Sequence, residues 1–479
     1  MIARDKDVAR RAVTLSKLDK FQRLRNVPRL SDAELISRFG AINTENDEAD
    51  VRLLAALEAK AIDFLVSQDI RLHRRAERAG LGASIFTVEE ALQWLKQTFV
   101  AKAVSLPYVV ESKAYEVSQD HPIVDSLQAD YPGFDDWFDR CRRQHRDCWI
   151  LKVDEDTAGL VIRKTETHAE AGTQFAGTNI LKICTFKVRD EFQGEKFGEL
   201  LLKQVLWFAQ RNQHDLVYVT TSPKHAFLIA LLSYYGFEQT DTMANGEIML
   251  EKVILTGALP DVTDHVFDFD RQHYPRYYDG PVARKFCVPI RPDYHRRLFP
   301  EIAFGAELPL FPAEKFGPML AIGEERIPGN TIRKVYLCRA KITLLRPGDL
   351  LFFYMSKDEQ YASSQSITTL GIVEQVINAT TADDLIRHTA KRSVYSPEEL
   401  RDWGASASSP VKMIDFLLVG HIEPPVRLNT LVSTGVFSNR PPQSIAELTE
   451  GDTRRSRPMF GWALTRKRAR SLLEKRLGL

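Results

Sequence analysis

The segment Gln193-Gly194-Glu195-Lys196-Phe197-Gly198, continued by Glu199-Leu200-Leu201-Leu202-Lys203, has residue types and spacing suited to holding an anion. A glycine-bearing turn that opens a helix gathers backbone N–H groups at the positive end of the helix dipole. Such a pocket favours a bound phosphate.

The flanking elements must place that turn. An apolar run, Ile180 through Val188, precedes it and predicts a strand, and the apolar periodicity from Leu200 through Gln210 predicts a helix. A second apolar run, Asp215 through Thr221, predicts another strand, followed by a helix over Lys224–Tyr234 that closes on Tyr235-Gly236-Phe237. Upstream, Cys148–Val153 and Ala158–Lys164 flank the turn Asp154-Glu155-Asp156 and predict a hairpin.

Turn and flanks together resemble the acyl-CoA-binding signature of the GNAT acetyltransferases, Gln/Arg-x-x-Gly-x-Gly/Ala. Gln193 and Gly198 fill its first and last positions, and Lys196 stands where the middle glycine is usual. The resemblance covers roughly residues 105–255. It implies a mixed sheet with helices, acetyl-CoA as cofactor, and transfer of the acetyl group to an amine. It further implies a splayed strand that offers backbone groups to the pantetheine. The amides of Val188, Gln193, Gly194, Glu195, Lys196, Phe197 and Gly198 would cradle the pyrophosphate.

The attacking amine must be neutral, so a general base is required. Glu166, on the expected third strand, is the candidate, against the alternative of a charge on a solvated sheet edge. In the family a tyrosine four residues before the final Gly-Phe glycine protonates the departing thiolate. Leu232 holds that position here. Tyr234 is the nearest replacement, and an aromatic of the core or of an interface is the competing explanation for it.

The first hundred residues have a different pattern. Ser31-Asp32-Ala33-Glu34 has the form of a capping box. Helices are expected over Asp5–Leu24, Asp47–Ala61, Arg71–Ala79 and Val88–Phe99, with short strands at Ile62–Val66 and Ser84–Phe86. Alternation of this kind implies a parallel α/β sheet. Residues 1–104 resemble the later part of a PIN domain, the fold of many metal-dependent ribonucleases. That resemblance implies a carboxylate pocket of Asp50 and Asp69, with Asp47 nearby, to bind Mg²⁺ or Mn²⁺. The family's first-strand aspartate has no counterpart here, so no metal ligand is assigned. Asp is also common at helix starts and turns.

Residues 256–284, with Tyr274-Pro275-Arg276-Tyr277-Tyr278-Asp279-Gly280, read as a linker. Short strands are then expected at Lys285–Ile290, Ile332–Leu337, Leu350–Met355 and Ile367–Val373, with Arg346-Pro347-Gly348-Asp349 as a turn. Residues 285–450 resemble the ASCH group of PUA-like small β-barrels, which implies RNA or a modified base as ligand; Lys334, Tyr354 and Ser356, near the strand mouths, are the candidate contacts, against the alternative of structural or surface residues. A basic tail helix is expected over 451–479.

A chain of 479 residues, 44% hydrophobic and 27% charged, is expected to form several globular domains. No apolar run reaches membrane-spanning length. Cysteines 141, 148, 184, 287 and 338 form no Cys-x-x-Cys pair, which suits a reducing cytoplasm, and no signal-peptide core opens the chain. Net charge is only +1, yet Arg and Lys concentrate in residues 1–29 and 454–476, as a phosphate-tracking surface or as solvated helix faces. The expectation is a multidomain α/β and α+β protein with acetyl-CoA-dependent N-acetyltransferase activity. Its acceptor would be RNA-linked, such as aminoacyl-tRNA or an RNA-binding protein. The alternatives are an RNA-binding module that holds acetyl-CoA without turnover, and a PIN-type ribonuclease.

Overall fold

The computed structural model describes residues 24, 27, 30–99, 107–153, 156–255, 259–305, 331–358, 364–389, 395, 397–438 and 440–448. The helices expected over residues 5–24 and 451–479, and with them both basic runs, lie outside the described residues. The chain forms two compact units, residues 1–101 with 381–405, and residues 102–380 with 406–479.

In the first unit, α1 (Asp32–Phe39) opens with the expected capping box. Ser31 N–H donates to Glu34 Oε2 at 2.8 Å and Glu34 N–H donates back to Ser31 Oγ at 3.4 Å. A second box, Thr44 with Asp47, opens α2 (Glu45–Glu58). Strand β1 (Leu65–Val66), α3 (Ile70–Arg78), β2 (Ile85–Phe86) and α4 (Val88–Phe99) follow. β1 and β2 pair in parallel, as alternation of helix and strand predicts. Leu35, Phe39, Val51, Leu54, Leu72 and Ile85 form the core.

The first half of the second unit runs β3 (Tyr108–Lys113), α5 (Pro122–Asp130), α6 (Phe134–Arg143), β4 (Asp147–Val153), β5 (Asp156–Glu166), β6 (Ile180–Val188), α7 (Phe197–Arg211), β7 (Leu216–Thr221), α8 (Ala226–Tyr234), β8 (Glu238–Thr242) and β9 (Ile248–Val253). These strands make one sheet in the order β3-β4-β5-β6-β7-β9-β8. The crossover helix α7 makes β6–β7 its one parallel junction. Alternation along the strands separates the faces. Cys148, Ile150, Leu160 and Ile162 pack with Ile123, Val124 and Phe138 of α5 and α6. Trp149, Leu151, Val161, Leu181 and Val217 pack with Leu201, Val205 and Leu206 of α7.

The second half contains α9 (Val266–His273), which lies within the expected linker, then β10 (Lys285–Ile290), α10 (Pro292–Leu298), α11 (Pro300–Gly305), β11 (Arg333–Cys338), β12 (Leu350–Met355) and β13 (Ser366–Ala379). Residues 381–405 then return to the first unit as α12 (Ala382–Thr389) and α13 (Pro397–Asp402). There Lys60 Nζ meets Asp384 Oδ1 at 2.5 Å and Arg387 Nε meets Asp63 Oδ1 at 2.8 Å. Strand β14 (Val411–Arg427), α14 (Leu428–Ser433) and β15 (Ala446–Leu448) complete the chain order. The second sheet runs β11-β14-β13-β12-β10-β15. Among the described residues it does not close on itself, so the small barrel expected from the sequence takes the form of an open six-stranded sheet. Register shifts between the long strands β13 and β14 bend it.

One apolar cluster serves both sheets of this unit, joining Leu201 and Leu206 to Leu350, Phe352 and Leu417. Polar contacts cross the same junction. Trp207 Nε1 donates to Tyr274 Oη at 2.9 Å, and Tyr274 Oη donates to the Leu418 carbonyl at 2.7 Å. Among the described residues, no helix is long and apolar enough to cross a membrane.

Candidate functional site

The first sheet forks at its parallel junction. β6 pairs with β5 along its whole length, from Ile180 opposite Glu166 to Val188 opposite Gly159. It pairs with β7 only from Ile180 opposite Leu216 to Ile183 opposite Val219. β7 nevertheless continues in register with β9 to Thr221. Beyond Ile183 the two strands therefore part, and the β7-facing edge of residues 184–188 has no strand beside it among the described residues. Such an edge offers main-chain donors and acceptors to an extended, amide-bearing ligand, as a strand edge does to a bound peptide.

The arm of the fork formed by β6 leads straight into the glycine turn. Arg189 is fixed by Asp156 Oδ1 at 2.7 Å and by the Thr157 carbonyl at 3.3 Å. A short 3-10 turn over Asp190–Phe192 follows, and Gln193 Nε2 donates to Asp190 Oδ1 at 2.7 Å. Gly194 has φ +87° and Lys196 has φ +62°, both in the left-handed region. Glycine would adopt the Lys196 conformation more easily, since a Cβ costs energy there. Lys196 stands at the N-cap of α7 with no side-chain cap hydrogen bond to the helix, and the first N–H groups of a helix have no intrahelical acceptor. Gly198 sits in the first turn of α7, where an added Cβ would stand 3.4 Å from Leu231 Cδ2, an ordinary contact. Helix α7 is seated tightly under the fork. At Gly159 on β5 a Cβ would fall 2.9 Å from Leu201 Cδ1 and 3.2 Å from the Lys187 carbonyl oxygen.

Glu166 lies at the closed end of the fork and is buried, in place of the solvated sheet edge weighed from sequence. Its Oε2 accepts a hydrogen bond from Tyr218 Oη, and its Oε1 is 3.1 Å from Lys164 Nζ and 3.9 Å from Lys182 Nζ. Tyr218 and Lys182 are partners one residue short of the last β6–β7 pair. Burial, and then the Glu166 carboxylate, raise the Tyr218 phenol well above its ordinary range and keep it protonated.

Tyr234 is directed to the junction between the two sheets. Its hydroxyl donates to Glu374 Oε1 at 3.0 Å, and the guanidinium groups of Arg271 and Arg333 each lie 4.7 Å from its ring centre. Tyr235 is fully buried and donates to Glu199 Oε1 at 3.0 Å. Leu232 is core. The interface explanation for Tyr234 thus matches its placement.

Two groups at the fork carry no local sequence signal. Tyr131, just past α5, and His225, which caps α8, meet with Tyr131 Oη 3.3 Å from His225 Nδ1. Thr221 Oγ1, at the end of β7, is 3.0 Å from the same nitrogen.

In the first unit the acidic residues are engaged elsewhere. Asp47 Oδ1 is bound by Arg75 Nη2 at 2.6 Å, while Asp47 Oδ2 accepts the N–H groups of Asn43 and Thr44. Arg75 also donates to the carbonyls of Phe39, Gly40 and Ala41. Asp69 caps α3 through the Arg71 N–H. Asp50 has its carboxyl raised, first by burial and then by the Asp69 charge, with Arg75 opposing. Among the described residues no group of three or more His, Cys, Asp or Glu is arranged to hold a metal ion.

In the second sheet, Lys334 is buried and donates to the Leu298 carbonyl at 2.7 Å, and burial brings its ammonium down to about 7. Tyr354 is also buried, its phenol pushed up to about 12. Ser356 donates its N–H to the Ile290 carbonyl at 3.0 Å beyond the strand end.

No protein-family model matches this chain. No curated protein matches it either. Solved structures similar to parts of it include ASCH from Zymomonas mobilis, at 16% identity and TM-score 0.24, covering 36% of this chain and 94% of that one. A GNAT family acetyltransferase from Elizabethkingia anophelis with acetyl-CoA bound is similar at 16% identity and TM-score 0.23, covering 31% and 99%. Ard1 from Thermoplasma volcanium is similar at 13% identity and TM-score 0.26, covering 32% and 99%. At such scores the role of the site must come from this chain's own residues.

Proposed function

We propose that residues 105–255 form an acetyl-CoA-dependent N-acetyltransferase of the GNAT type. The observation that carries this reading is the continuity of the fork with the turn. The β6 edge left open past Ile183 runs directly into Val188, Gln193, Gly194, Glu195, Lys196, Phe197 and Gly198 at the side-chain-uncapped start of α7. An extended pantetheine fits a strand edge that lacks a neighbour, and a pyrophosphate fits helix-start amides. The thioester then lies between the two arms just past Ile183, with Tyr218 and Glu166 on its closed side. There Glu166 takes the proton of the attacking amine through water. The acceptor we propose is an RNA-linked amine, supported by the resemblance of both flanking regions to RNA-associated domains.

Leu232, buried where the family carries tyrosine, is the observation that favours a second reading, a domain that holds acetyl-CoA without turning it over. For the first unit, the Asp47–Arg75 pair supports a structural role for its acids over a metal-dependent ribonuclease.

Incubation of the whole protein with acetyl-labelled acetyl-CoA, with and without total tRNA and cell lysate, tests the reading. Label in a macromolecular amide is the expected result, with the tRNA arm deciding the acceptor class. Cofactor binding with no transfer in any arm would favour the second reading.

A further inference from the structure

Tyr131 and His225 approach the fork from opposite sides. Tyr131 packs on the cluster beneath α5 and α6, which Cys184 of β6 also joins. Cys184 is the first β6 residue past the last β6–β7 pair. His225 stands on the other arm, four residues after Thr221 and at the start of α8, whose Leu232 packs into the α7 side of the sheet. The 3.3 Å contact between Tyr131 Oη and His225 Nδ1 therefore crosses the opening between the arms. Thr221 Oγ1, 3.0 Å from Nδ1, ties the imidazole to the β7 arm two residues beyond the last paired position. Tyr131 and His225 are both half-buried, and Thr221 is buried beneath them. The hydroxyl and the imidazole thus face the stretch of fork where the reading above puts the thioester.

Resting on that reading, we infer that Tyr131 is the proton donor to the departing thiolate and that His225 is its positioning residue. The amine nitrogen forms a C–N bond with the thioester carbonyl carbon. The C–S bond then breaks, its electron pair leaves on sulfur, and the sulfur takes the phenolic proton of Tyr131. The phenolate accepts a hydrogen bond from the Nδ1–H tautomer of His225 and recovers its proton from Glu166, returned through the water that relayed it from the amine. The sum is amine plus acetyl-CoA giving amide plus free CoA. A hydroxyl contributed by the α5–α6 side would supply the chemistry that buried Leu232 cannot.

The test uses the full chain and the labelled acetyl-CoA assay with tRNA and lysate, alongside calorimetric titration with CoA. Tyr131→Phe keeps the ring and removes only the hydroxyl. It is expected to bind CoA within about 3-fold of wild type and to lower kcat by roughly 100-fold, the scale of a lost general acid. His225→Gln is expected to lower kcat by roughly 10-fold with KM for acetyl-CoA unchanged. Undiminished turnover in Tyr131→Phe, or a loss confined to CoA affinity in either variant, overturns the inference while leaving the acetyltransferase reading intact. A wild-type protein that neither binds CoA nor transfers label overturns the reading itself and this inference with it.

Discussion

Lys196 shows how a departure from a motif can be read physically. Its φ of +62° puts a β-carbon where glycine would be relaxed, so Lys196→Gly should stabilise the protein by up to about 1 kcal/mol. A denaturant midpoint that fell would contradict that account of the position. Asp270, on α9, makes a second residue-scale prediction. Its carboxyl is buried, accepts among the described residues only the Tyr278 N–H at 2.6 Å through Oδ1, and is raised by burial to about 8. An unfolded aspartate ionises near ~4. Between those values the native state binds a proton that the unfolded chain does not, so this residue lowers stability progressively as pH rises from about 4 to about 8. Asp270→Asn should therefore gain stability over wild type, more at pH 8 than at pH 5, in parallel denaturant titrations. An equal gain at both would place the shift elsewhere.

Much of the site's scaffold is written in local sequence. The apolar run at 180–188 is β6 to the residue, and the periodicity at 200–210 lies inside α7. Gln193 and Gly198 mark the turn between them. The fork itself is not legible there, because it is a property of register: both strands continue, and only their pairing stops at Ile183 and Val219. Tyr131 and His225 give no local signal for the same reason, being 94 residues apart and brought together only by the fold. Tyr234 was reachable as an aromatic near Gly236, but its surroundings come from Glu374 and Arg333, far along the chain. Glu166 reads as a surface charge until Tyr218, from a strand on the other side of β6, covers it. Residues 381–405 follow β13 directly, and nothing local in them announces their return to the first unit.

At the scale of the whole molecule, the second unit ties the candidate cofactor helix to the second sheet. Glu199, in the first turn of α7, accepts the Arg333 N–H at 2.6 Å and the Tyr235 hydroxyl at 3.0 Å. Lys203, one turn on, meets Glu301 at 2.6 Å in a buried pair. Glu199→Ala would strand one buried and one part-buried donor and should cost about 2 kcal/mol in chemical denaturation. It should also weaken CoA binding, because it loosens the turn that carries Gly198. Loss of stability with unchanged affinity would show that the second sheet supports the fold without tuning the site.

The most direct measurement of the central claim is calorimetric titration of acetyl-CoA into wild-type protein and into Gly198→Glu. The space at Gly198 admits a Cβ, and an acidic side chain suits a helix N-terminus, so the variant should fold as stably as wild type. Its bulk and charge would occupy the phosphate position. Saturable binding by wild type is expected, and none by the variant at the same unfolding midpoint. Binding that survives Gly198→Glu, or a wild type that does not bind, would contradict it.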